Sequence, residues 1–173
     1  MANVQRWVTG NPNTRLVSIK SGVTVELGDL MFLDEADDLR VDGDSTANNY
    51  AYPLEYFRIS GGSVELNKRG VKDYFLGVAM DDKDGVGDEK NEQKLSIATA
   101  GRFVFDLKPA KTIKTGFMLA PTGTTTASNM YNQKVAYTTD GSIAIGYFAE
   151  YKVHAREAEV YFRTKYAPNG VIS

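Results

Sequence analysis

"EAEVYFRTKY", residues 157–166, alternates with a step of two. Ala158, Val160 and Phe162 fall on one face, and Glu157, Glu159, Tyr161, Arg163 and Lys165 fall on the other. Side chains of a strand point alternately to its two faces, so this pattern predicts an antiparallel strand with one face buried and one wet. "GRFVFDL" (101–107) repeats the pattern, with Phe103 and Phe105 on one face and Arg102, Val104 and Asp106 on the other. Further short apolar runs are "RLVSIK", "VTVEL", "DLMFL", "FLGVAM", "KLSIAT", "GFMLA", "KVAYTT" and "SIAIGYFAEY". Turn signals separate them: "KSGV", "LGDL", "APNG", and "TDGS" at 139–142, whose Asp-Gly pair is a hairpin signal. The sequence therefore predicts a mainly β fold. It is a compact β-barrel or β-sandwich of short antiparallel strands with long loops and one short helix.

Two regions depart from this pattern. Residues 34–57, "DEADDLRVDGDSTANNYAYPLEYF", form an excursion that is acidic first and then rich in Asn and Tyr. "SVELNKRGVKDYF" (63–75) reads as the helix, with Val64, Leu66, Val71 and Phe75 as inward residues and Gly70 as a weak point. The expected organisation is an extended N-terminal arm over 1–15 and a single β domain over 16–173, with its excursion at about 34–75.

Composition narrows the function. The chain has 173 residues, 42% of them hydrophobic, enough for a real core. A net charge of −2 gives no overall basic field for a nucleic-acid backbone, so direct nucleic-acid binding is not expected. With no cysteine, disulfides, thiolate metal sites and a cysteine nucleophile are excluded. No run approaches the ~20 apolar residues of a membrane span, and no membrane partner is expected. The opening "MANVQRWVTGNPNTRL" has no apolar signal core, so synthesis in the cytoplasm is expected.

The most polar candidate site lies between "FLGVAM" and "KLSIAT". It contains Asp81, Asp82, Asp84, Asp88, Glu89 and Glu92 with Gly85 and Gly87. Aligning Gly85 with the glycine of a calcium-binding EF-hand loop puts Met80 at the first ligand position and Asn91 at the twelfth, so two essential ligands fail. The run around Gly43 fails similarly, with Arg40 where an oxygen ligand belongs. The expectation is a solvated connection between adjacent strands and no metal. His154 is the single histidine, no "GxSxG" elbow is present, and no phosphate-binding glycine loop occurs. No catalytic constellation and no cofactor site is expected, and the chain is not expected to be an enzyme.

Nineteen aromatic residues remain. Tyr50, Tyr52, Tyr56 and Phe57 cluster in the excursion, where they are either core or a contact surface. Trp7, the only tryptophan, sits on the polar arm and is a candidate interface anchor. The arm itself is a candidate to add a strand to an exposed sheet edge.

Read in order, "GVTVELGDLMFLD", "FLGVAMDD", "LSIATAGRFVFDL", "KTGFMLAP", "NQKVAYTTDGSIAIGYFAEY" and "AREAEVYFRTKY" resemble the capsid cement, or head decoration, proteins of tailed bacteriophages. The resemblance runs from about Val23 to Tyr166, on short apolar motifs. It implies a structural virion protein on the outer capsid surface, often a homotrimer, that stabilises contacts between major capsid subunits. Trp7, Tyr50, Tyr52, Tyr56 and Phe57 would then be candidates for the capsid or subunit interface. A phage fibre or baseplate component, or a carbohydrate-binding β module, is the alternative.

Overall fold

A computed structural model describes residues 6–7, 12–40, 46–59, 62–86, 91–124 and 129–167, with residues 6–7 as backbone only. Among the described residues, ten strands form one hydrogen-bonded sheet. They are β1 (Arg6–Trp7), β2 (Asn13–Ile19), β3 (Leu30–Leu33), β4 (Ala51–Pro53), β5 (Phe75–Ala79), β6 (Gln93–Ile113), β7 (Met118–Gly123), β8 (Met130–Thr138), β9 (Gly146–Phe148) and β10 (Lys152–Arg163). The mainly β expectation is met.

The architecture turns on β6, whose 21 residues fuse the "KLSIAT" and "GRFVFDL" runs and continue to Ile113. Its first half pairs with β2 on one edge and β5 on the other. The links β2–β4, β4–β3 and β3–β5 close these into a five-strand ring. The second half of β6 pairs with β10 and β8, and β8–β7, β7–β9 and β9–β10 close a second ring. The two rings share one strand. Closure satisfies backbone groups that an open sheet would leave on bare edges.

The residues explain the faces. On β10, Ala158, Val160 and Phe162 are buried, as their alternation requires. On β6, Phe103, Phe105 and Leu107 are buried while Arg102 is exposed. Phe103 stacks on Phe162 at 5.3 Å, and Phe75 meets Phe162 edge-on at 5.5 Å. Strand β5 approaches β6 closely at Gly77, which has φ 146°. A Cβ there would lie 1.9 Å from the Ala98 carbonyl oxygen, so only glycine lets this part of the ladder form.

The predicted helix is present as α1, Val64–Tyr74, with the Ser63 hydroxyl accepting from the Leu66 N–H at its start. Its inward face differs from the expectation. Val71 and Phe75 are buried as expected, but Asn67 and Gly70 are buried with them, while Leu66 is exposed and Val64 only half-buried. Gly70 is the point of closest approach: a Cβ would sit 2.6 Å from Ile59 Cδ1 and 2.9 Å from Phe57 Cζ. The glycine that weakens the helix by propensity is what allows it to dock.

Other boundaries also shift. "VTVEL" is no strand and makes only an isolated bridge, Val25 to Lys83. "TDGS" forms a turn, but β8 and β9 do not pair, because β7 lies between them. Pairing begins within the N-terminal arm. Arg6 and Trp7 lie opposite Val104 and Phe103, and β2 opens at Asn13. Both strands run along the same edge of β6, so the arm's paired residues extend the line of β2.

Candidate interaction surfaces

The aromatic residues picked out in the excursion divide between core and margin. Tyr52 and Phe57 are fully enclosed by their own chain. Phe32 stacks on Tyr52 at 5.8 Å and meets Phe57 edge-on at 4.9 Å. Strands β3 and β4 carry two of these rings into the same interior, which leaves Tyr52 and Phe57 no surface for a partner. Tyr50 and Tyr56 are half-buried against this core. Trp7 lies in β1, and its side chain is outside the described residues.

The excursion is anchored by a buried charge pair. Arg40 Nε lies 2.8 Å from Asp34 Oδ2, with both side chains 1% exposed. Arg40 also donates to the Tyr52 hydroxyl at 3.2 Å and to the Thr46 carbonyl at 3.3 Å, and its guanidinium lies over the Tyr52 ring. Asn48 Nδ2 donates to the same hydroxyl at 2.9 Å. A charge pair removed from water needs such neighbours to offset its desolvation. Here they tie Asp34, Arg40, Thr46 and Asn48 to Tyr52 on β4 of the first ring. At its start, Glu35 accepts from Lys165 and from the Tyr166 hydroxyl. Partial burial opposes ionisation of Glu35, but those bonds and the charges of Lys165 and Arg15 outweigh it and hold its pKa below the usual value.

The acidic loop connects the adjacent strands β5 and β6, as expected, but it is tethered. Lys83 is buried and donates to the Val23 carbonyl at 3.0 Å, and the Gly85 N–H donates to Thr24 Oγ1 at 3.0 Å. Asp81 accepts from the Ser96 N–H, and Glu92 accepts from the Tyr50 hydroxyl at 2.6 Å. Among the described residues no group of three or more His, Cys, Asp or Glu is placed to hold a metal ion. Asp88 and Glu89 lie outside the described residues, as does Gly43 in the other acidic run.

Where the rings meet, a polar cleft of about 230 Å³ is lined by Thr24, Glu26, Asp29, Glu55, Tyr131, Asn132, Gln133 and Lys134. Asp29 is its key member. Oδ2 accepts from the Glu26 N–H at 2.9 Å, and Oδ1 accepts from Gln133 Nε2 at 3.0 Å. Asn132 Oδ1 accepts from the Glu55 N–H at 2.7 Å. The "GD" turn before β3 thus clasps β8 of the other ring. Burial pushes the Asp29 pKa up to about 6, against the pull of the two hydrogen bonds. The cleft's polar groups mostly bond one another, and that is a structural clasp.

Two surface features lie outside the candidate interface residues. Tyr147 and Tyr151 are 51% and 63% exposed, and Val153 is 54% exposed. Met118, Tyr147, Tyr161 and Arg102 lie directly opposite one another across β7, β9, β10 and β6, so they share one face. The second feature is a lysine–tyrosine array. Lys108 lies 4.7 Å from the centre of the Tyr131 ring and donates to its hydroxyl at 3.0 Å. Lys134 lies 5.0 Å from the same centre, and Lys111 lies 4.1 Å from that of Tyr137. The Lys108 bond and the two nearby ammonium groups lower the Tyr131 pKa. A signal was present in the sequence: no Asp or Glu occurs between Asp106 and Asp140. His154 is exposed within β10, at φ 49° where the register with β6 shifts.

Compared with known proteins, the chain matches no protein-family model and no curated protein.

Proposed function

We propose that this chain is a structural bacteriophage virion protein. It binds the outer surface of the assembled capsid and stabilises contacts between major capsid subunits, without catalysis. One observation carries the reading. The phrases that resemble the head decoration family fall on the strands that build the two rings: β3, β5, β6, β7, β8 and β10. The resemblance therefore follows the scaffold more than the loops, although its first phrase lies mostly before β3. A frame whose strands are almost all paired, with its polar residues largely engaged in internal clasps, suits a part that must hold shape while adding contacts to a shell. Binding to the expanded lattice in preference to the unexpanded one would stabilise it by the difference in affinity. The major capsid protein is the proposed partner.

The test is cosedimentation of the purified protein with expanded capsids of the phage that encodes it, followed by heating. Saturable binding at micromolar concentration and a higher capsid melting temperature are expected. Absence of binding to those capsids refutes the reading.

The exposed tyrosines favour one second reading, a glycan-binding β module such as a fibre or baseplate part. Tyr147 and Tyr151 offer the flat apolar rings that sugars stack on. Retention on a glycan array that is lost in Tyr147→Ala would favour this reading over the capsid one.

A further inference from the structure

The clasp between the rings does not use all of the cleft it builds. Asp29 and Gln133 are engaged with each other, and Asp29 also holds the Glu26 N–H. The groups beside them keep hydrogen-bonding capacity. The Glu55 carboxylate is exposed and has no hydrogen bond or ion pair among the described residues. The Glu26 side chain is exposed too, and takes only one long contact, 3.5 Å, from Gln133 Nε2. Asn132 accepts the Glu55 N–H at Oδ1, which fixes the amide and leaves its Nδ2 hydrogens over. The Tyr131 hydroxyl accepts from Lys108 and the Thr24 hydroxyl accepts from the Gly85 N–H, so each still has its own proton to donate. Lys134 is held over the Tyr131 ring, which orders its ammonium without using up its N–H donors.

These groups narrow the ligand. Every lining side chain is polar, so binding rests on hydrogen bonds more than on apolar burial. An anion placed here meets Glu26, Asp29 and Glu55, and a cation meets Lys134, so neither charge fits alone. Among the described residues the carboxylates are not arranged to hold a metal ion. Acceptors and donors instead lie side by side in one cleft of about 230 Å³. A hydroxyl both donates and accepts, so a ring bearing several hydroxyls answers both kinds of group at once. The volume is below the roughly 300–1,000 Å³ of drug-sized pockets, which limits the ligand to a single ring.

We propose that this cleft binds one neutral sugar residue. Glu26 and Glu55 accept from its hydroxyls, and Thr24, Tyr131, Asn132 and Lys134 donate to them. The Asp29–Gln133 hydrogen bond holds the two sets in place, because it ties the loop before β3 to β8. The inference does not rest on the capsid reading. It also uses neither Tyr147 nor Tyr151, so a sugar-stacking face at those residues stands or falls separately.

An amide NMR titration of the full chain tests it, with glucose, galactose, mannose and N-acetylglucosamine each added to about 50 mM. Saturable shifts at the backbone amides of Glu55 and of residues 132–134 are expected for at least one of these sugars, with a dissociation constant of about 1–10 mM. Glu55→Ala removes a side chain that makes no bond among the described residues, so its melting temperature should match that of wild type. Asn132→Asp keeps the acceptor for the Glu55 N–H and removes the amide donors. Each variant should weaken sugar binding at least about tenfold. No saturable shift with any of the four sugars overturns the inference, as does binding that both variants leave intact. Tighter binding of glycine or of inorganic phosphate at the same amides also overturns it, and would assign the cleft to a charged ligand.

Discussion

Replacing Asp29 with Asn should change how stability depends on pH, in a direction fixed by the structure. The carboxylate is 2% exposed and lies among Glu26 and Glu55. Its pKa is raised from 3.8 to about 6. The folded chain therefore holds this proton more tightly than the unfolded chain does. The resulting stabilisation is fully present below about pH 4 and is lost as pH rises through about 6. Two pKa units and a little more correspond to about 3 kcal/mol, an upper figure since unfolded chains retain some structure. In Asp29→Asn no proton is exchanged at this site. Groups shifted the other way, Glu35 and Asp140, titrate equally in both proteins and cancel in the difference.

The assay is urea unfolding of both proteins at about pH 4 and about pH 8. The amide must serve both the Glu26 N–H and Gln133, so the variant carries a fixed cost from a mismatched donor. That cost does not vary with pH. Relative to wild type, the variant should gain up to about 3 kcal/mol between the two pH values. A flat difference, or one that falls with pH, would refute the claim that Asp29 is a desolvated carboxylate in the clasp.

Three further outcomes follow from the packing. Gly70→Ala should destabilise by about 1–3 kcal/mol in thermal melts, although alanine favours the helix, because the new methyl group meets Phe57 and Ile59. Arg40→Met should cost about 3–5 kcal/mol by leaving Asp34 buried beside an apolar chain, and adding Asp34→Leu should return much of it, as a double-mutant cycle would read. Excess EDTA or added calcium should leave the melting temperature unchanged, since the carboxylates of Asp81 and Glu92 already accept internal hydrogen bonds; a large shift in either direction would bring back the metal site.

What the sequence revealed and what it hid have one physical cause. Period-two alternation is a local property, so Ala158, Val160 and Phe162 declare their face without reference to any partner. The adjacency of β5 and β6 was equally legible, because a single loop joins them. Ring closure is not local. The pairing of β6 with β8, or of β2 with β4, joins segments that no turn connects. Nothing between "KLSIAT" and "GRFVFDL" says that one strand will serve two rings. The same limit governs the site residues. Tyr50 and Tyr52 are near neighbours in an Asn- and Tyr-rich run, yet Tyr52 is fully buried and Tyr50 reaches Glu92. Composition marks such a run as unusual, but β3 decides which ring is enclosed, by lying across β4 and presenting Phe32 to Tyr52. Gly70 makes the point most sharply. Propensity judges it against an isolated helix, whereas Phe57 and Ile59 judge it against a packed one. In this chain, residues that look like flaws in a local pattern deserve inspection as points of contact between distant segments.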